Sequence, residues 1–189
     1  DEKILETVVK EADQNDLSLS KIISKTNSSI STKLITEIAE NNKELMIKVV
    51  SETSELNPKK LKELASFDED INSKITNAIV ENLSVSVDAS NDLKKIMLSA
   101  EPDLMNEIIN ETVIIDSDLV SQATSEILNE EQEKITEKLS LSLDSVGENA
   151  FNSIIIAKAV ETGNTDIVTR AVEMKVQKKI NTSNSQNNL

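Results

Sequence analysis

The 189-residue chain has no cysteine, no histidine, no tryptophan and no tyrosine, and it holds only two glycines, two prolines and two phenylalanines. Each absence removes a class of function. Without cysteine there is no disulfide, no thiolate nucleophile and no thiolate metal site. The same lack fits a reducing or an oxidising compartment alike, so localisation stays open. Without histidine the chain loses the commonest general base near neutral pH and the commonest metal ligand. A ferritin-like di-iron site, which needs Glu-x-x-His, cannot be assembled. Gly147 and Gly163 stand alone, so no glycine-rich phosphate loop exists. Asp68-Glu69-Asp70 lacks the spaced oxygens, the glycine and the closing glutamate of a calcium loop. It reads as an acidic turn capping a helix.

Carboxylates remain, and two of them suffice for a retaining glycosidase. Sugar sites, however, lean on aromatic platforms, and Phe67 and Phe151 are the only rings here. No catalytic, cofactor-binding or metal-binding residue is therefore assigned, no cofactor or small-molecule substrate is expected, and the chain reads as non-enzymatic.

Positive charge is scarce too. Twenty Lys and Arg against 34 Asp and Glu leave a formal charge of −14, and Arg170 is the single arginine. Nucleic-acid binding needs cations to displace phosphate counterions, and bidentate readout of guanine or phosphate needs arginine. Neither requirement is met. An anionic membrane surface is disfavoured for the same reason, and no apolar run reaches the ~20 residues of a membrane span. The chain opens at Asp1 rather than Met, as expected of a processed product or an excised piece of something larger.

What is present is aliphatic and periodic. With few turn glycines and few strand-forming aromatics, an all-β domain is excluded in favour of an all-α one. The clearest unit is Ala157 to Met174: a helix closes at Gly163, Asn164-Thr165 make the corner, and Asp166 opens a second helix striped by Ile167, Val168, Ala171 and Val172. Similar stripes recur at Ile4-Leu5-Val8-Val9, Leu34-Ile35-Ile38-Ala39, Leu45-Met46-Val49-Val50, Leu93-Ile96-Met97-Ala100 and Leu104-Met105-Ile108-Ile109. Asn57-Pro58 and Pro102 predict helix starts with proline at the first position. Asn129 with Gln132 has capping-box spacing.

The stretch 79–88 aligns with 135–144 through a shared Leu-Ser-aliphatic-Ser-aliphatic-Asp core, an offset of 56 (79 to 135). Ile30 to Asn41 resembles Ile71 to Asn82 at an offset of 41 (30 to 71). The offsets differ, so no strict repeat period exists. Both Leu-Ser segments alternate as strands do, but each continues a helical face, so helix is expected, in the first case as far as Val87.

The predicted architecture is an irregular α-solenoid of short amphipathic helices, helical hairpins stacked side by side, over residues 1–180. A compact multi-helix bundle is the alternative. Residues 181–189 carry almost no apolar side chain and are expected to form a disordered polar tail or linker. The function this points to is a helical-repeat scaffold or spacer module mediating protein–protein interaction or self-association within a larger protein. The rival is a compact bundle binding an apolar ligand or partner helix in an aliphatic, Met-containing groove. The Glu130, Glu131, Glu133, Glu137 cluster, tempered by Lys134 and Lys138, reads as a solvated helix face or else a docking patch, and the sequons at Asn27, Asn82, Asn110 and Asn181 as chance. Met46, Met97, Met105 and Met174 read as core filler.

Overall fold

The structure is a computed structural model that describes residues 2–14, 18–130, 132–145 and 149–186. Among them it is all-helical, with twelve α-helices, one 3-10 turn and no strand. The chain opens with α1 (Glu2–Gln14) and α2 (Leu19–Lys25). The Asn27 side chain then accepts from the Ile30 amide at 3.0 Å and starts α3 (Ser28–Asn41). A 3-10 turn, Lys43–Leu45, leads into α4 (Met46–Leu56), followed by α5 (Lys60–Phe67) and α6 (Ile71–Leu83). Beyond come α7 (Ala89–Ser99), α8 (Pro102–Ile115), α9 (Ser117–Glu130) and α10 (Gln132–Ser145). The last pair is α11 (Ala150–Thr162) and α12 (Thr165–Gln186).

Alternate helices pack side by side. One series runs α2 on α4, α4 on α7, α7 on α9 and α9 on α11; the other runs α1 on α3, α3 on α6, α6 on α8, α8 on α10 and α10 on α12. Consecutive helices lie against each other between the series, as α8 does on α9 and α11 on α12. The principal contacts never join helices more than three apart in order. A single continuous cluster of buried side chains, nearly all aliphatic, runs from Val9 to Ala171. Ile38, Met46, Ile79, Ile96, Ile108, Ile127, Ile135 and Ile155 are wholly excluded from solvent within it.

The sequence similarity between Ile30–Asn41 and Ile71–Asn82 falls on the neighbours α3 and α6. Their matched positions Leu34 and Ile75, Ile38 and Ile79, and Ala39 and Val80 are all buried. Lys74 of α6 donates to the Thr36 hydroxyl of α3 at 3.4 Å, and polar side chains tie other elements together too. Lys43 at the 3-10 turn pairs with Glu81 of α6, and the buried Lys60 sends its ammonium to the Thr26 carbonyl at 2.7 Å, joining α5 to the end of α2.

The local readings divide. Gly163 ends α11 at φ 74°, with the Asn164 amide reaching back to the Ala159 carbonyl at 2.8 Å and the Gly163 amide to Val160 at 3.3 Å, a Schellman closure. Pro102 occupies the first turn of α8 as predicted. Asn57-Pro58 instead forms a turn ahead of α5, which starts two residues later because the Lys60 amide is taken by the Asn57 carbonyl. Asn129 lies in the last turn of α9, and residue 131, just ahead of α10, lies outside the described residues. The predicted Asp144–Gly147 corner falls partly on 146–148, likewise outside them.

Two readings need correction. The helix predicted to reach Val87 stops at Leu83. The Ser84 hydroxyl bonds back to the Val80 and Glu81 carbonyls, and Ser86 turns the chain by donating to the Asp92 carboxylate at 2.9 Å. Val85 and Val87 are left exposed. The matching 135–144 stretch stays helical throughout, with Ile135, Leu139 and Leu143 buried. The expected disordered tail is also helical as far as Gln186, as a continuation of α12. Adding residues to a formed helix carries no nucleation cost, so the absence of an apolar stripe does not end it. Residues 187–189 lie outside the described residues.

Candidate interaction surface

Neighbouring helices of one series leave clefts between them. One of them, of about 560 Å³, lies between α4 and α7. Glu44, Lys48, Glu52 and Glu55 contribute from one side, and Asp92 and Lys95 from the other. Ile47 and Leu98 are its aliphatic members, and the Ser99 hydroxyl bridges the helices by donating to Ser51 at 3.0 Å. The Ser99 hydroxyl also lies 2.6 Å from the Lys95 carbonyl. Glu52 is fixed in turn by Ser18 at 3.1 Å and Ser20 at 2.8 Å.

A second depression of about 370 Å³ lies where the chain enters α7 and α9, lined by Val87, Ser90, Leu119 and Glu126 among others. Its electrostatics are organised. Glu126 accepts from Gln122 at 2.8 Å, Lys94 at 3.0 Å and Ser90 at 3.0 Å. Those donors, Gln122 first, hold its carboxyl below the ordinary glutamate range, against the opposing effect of burial. Lys94 is raised in return by its bond to Glu126 and, past a burial penalty, by Glu130 at 3.2 Å.

Glu130 is thus spent on a structural pair with α7. The acidic cluster read from the sequence is divided further by Lys138, whose ammonium turns to the Leu98 carbonyl at the end of α7, 2.8 Å away. Burial pushes Lys138 down to about 8, opposed only by the attraction of Glu101. Asp68 accepts from the Asp70 amide at 3.1 Å and lies 3.6 Å from Lys74, as a turn ahead of α6 would. Arg170 meets Glu173 one turn on at 3.4 Å. Among the described residues no three acidic side chains converge as a metal would require, and no helix is long and apolar enough to cross a membrane.

Exposed aliphatic residues are the feature that the sequence pattern hid. Val85 and Val87 after α6, and Ile114 and Ile115 at the end of its neighbour α8, face solvent. So do Val172, Val176 and Ile180 along α12 and Ile4 on α1. The signal available was a second apolar line at four-residue spacing, Val172-Val176-Ile180, beside the Ile167-Ala171-Met174 stripe. No family model, no curated protein and no solved structure matches this chain.

Proposed function

We propose that this chain is an α-solenoid of stacked helical hairpins serving as a non-enzymatic scaffold or spacer that mediates protein–protein interaction. One observation carries the reading: the two series of alternating helices, each helix packed principally on near neighbours in order. In a bundle, first and last elements share one core; in a stack, each unit completes only the next. The similarity of α3 to α6 fits a duplicated unit that kept its place in the series.

The rival reading, a compact bundle with a Met-containing groove, has less behind it. Met46, Met97 and Met105 are fully buried, and no methionine lines the open cleft between α4 and α7. Small-angle scattering separates the two. A compact chain of this length has a radius of gyration of about 16 Å. The stack predicts a clearly larger value with an asymmetric distance distribution, and a value at 16 Å would remove the proposal.

A further inference from the structure

Two inner corners of the chain meet at one edge. α7 and α9 run parallel, since Ser90 donates to Glu126 at 3.0 Å and Lys94, one turn on, reaches Glu130 at 3.2 Å. Their first turns therefore lie at the same end, and with them the corner 84–88 that leads into α7 and the corner at Asp116 that leads into α9. Val87 and Leu119 line one depression between the two. On this edge Val85, Val87, Ile114 and Ile115 are 79%, 107%, 77% and 61% exposed. Single exposed aliphatic residues are ordinary on a protein surface, but four on adjoining corners make a patch of the kind that marks an interaction site.

Charge selects the partner. From Ile96 to Glu133 the sequence has no lysine and no arginine. The α8–α9 hairpin, residues 101–130, carries eight carboxylates, three on each helix with Glu101 and Asp116 beside them. Glu126 and Glu130 are met by Lys94, and Glu101 is drawn to Lys138. Asp103, Glu107, Glu111, Asp116 and Asp118 have no ion pair among the described residues. Glu107, Glu111 and Ile115 stand four apart, so one line of α8 leads from carboxylates to the patch. Asp88, Asp116 and Asp118 are exposed around it. Lys43 beside α6 and Lys95 on α7 are already engaged, by Glu81 and Asp92. The same edge of a second copy would set like charges against like, and an anionic bilayer would be repelled in the same way.

We propose that this edge docks a cationic amphipathic segment of another protein, with its aliphatic side chains on Val85, Val87, Ile114 and Ile115 and its lysines or arginines on the surrounding carboxylates. The inference names the partner class for the protein–protein interaction proposed above and rests on that reading.

Titration calorimetry of the whole chain with a synthetic amphipathic helix of leucine and lysine tests it, with a leucine and glutamate peptide of the same pattern as control. The lysine peptide should bind, and more weakly as salt is added; the glutamate peptide should not bind. Binding should slow hydrogen exchange at residues 84–91 and 111–122 and leave α1 to α3 unchanged. Val87→Ser combined with Ile115→Ser should weaken binding by about tenfold or more, with melting temperature and helicity as in the parent. Asp116→Asn keeps an oxygen to accept from the Leu119 amide; together with Asp118→Asn it should lower affinity and flatten the salt dependence. Binding that survives the aliphatic double variant would be charge attraction without a docking site and would overturn the proposal. So would the absence of binding, protection elsewhere on the chain, or a dimer that Ile115→Ser abolishes, which would assign the edge to a second copy. Scattering keeps the two readings apart: an elongated chain that binds no peptide loses this inference alone, and a compact chain loses the stacked reading whatever the peptide does.

Discussion

Single residues fix where one helix hands over to the next. Gly163 holds φ at 74°, and a Cβ there would meet nothing within 4 Å. The cost of Gly163→Ala is then purely conformational, about 1–2 kcal/mol for a left-handed alanine. Its neighbour Asn164 is buried and used at both ends. Its carbonyl oxygen caps α12 by accepting from the Ile167 amide at 3.1 Å, and its amide donates to Thr136 of α10 at 2.8 Å. Asn164→Ala removes the cap of α12 together with the side-chain bond to α10, so it should cost more than the glycine change, roughly 1–3 kcal/mol. Urea midpoints of the two variants measure both, and the reverse order would show that the corner is not held by its caps.

Lys138 makes the same argument with pH as the variable. Its folded pKa, depressed to about 8, lies below the 10.5 of an open chain. Between those values the unfolded chain holds the extra proton, so stability rises with pH across that window; below it both states are charged and the contribution is flat. Lys138→Met should lose this rise. Comparing urea midpoints of variant and parent at pH 7.5 and 9.5 checks it, and an unchanged difference between the two pH values would contradict the burial of the ammonium.

At the scale of elements, apolar periodicity finds helices well and ends them badly. Leu93, Ile96, Met97 and Ala100, or Leu104, Met105, Ile108 and Ile109, are buried as their spacing requires. The related stretches 79–88 and 135–144 then part ways under nearly the same pattern. In α10 the aliphatic residues at 139 and 143 find α8 and α12 to cover them. After α6 the equivalent Val87 finds no cover, and the Ser84 and Ser86 hydroxyls take the backbone into a turn. Tertiary cover decides, and spacing alone does not contain it. The candidate surface was less legible still, because the α4–α7 cleft is made of residues more than 30 positions apart. The same contrast gives a prediction. Ile108→Ala, wholly buried in α8, should cost about 2–5 kcal/mol, while Val87→Ser, fully exposed, should stay within about 0.5 kcal/mol. Equal effects in thermal unfolding would contradict the helix end at Leu83.

For the whole molecule, packing confined to near neighbours has a consequence for how stability is distributed. α6 through α9 are covered from both sides of their series, by α3, α4, α10 and α11 as well as by one another, whereas α1 leans principally on α3, and α12 on α10 and α11. In a stack of this kind, stability is a sum of unit terms and interface terms, so a unit with one interface opens at lower free energy than a unit with two. Native-state hydrogen exchange should therefore show a gradient along the chain. Amides of α6–α9 should exchange slowest, near the global unfolding free energy, and those of α1 and of the later turns of α12 fastest. A uniform protection profile from α1 to α12 would mean that the helices share one cooperative core, and the stacked reading would give way to the bundle.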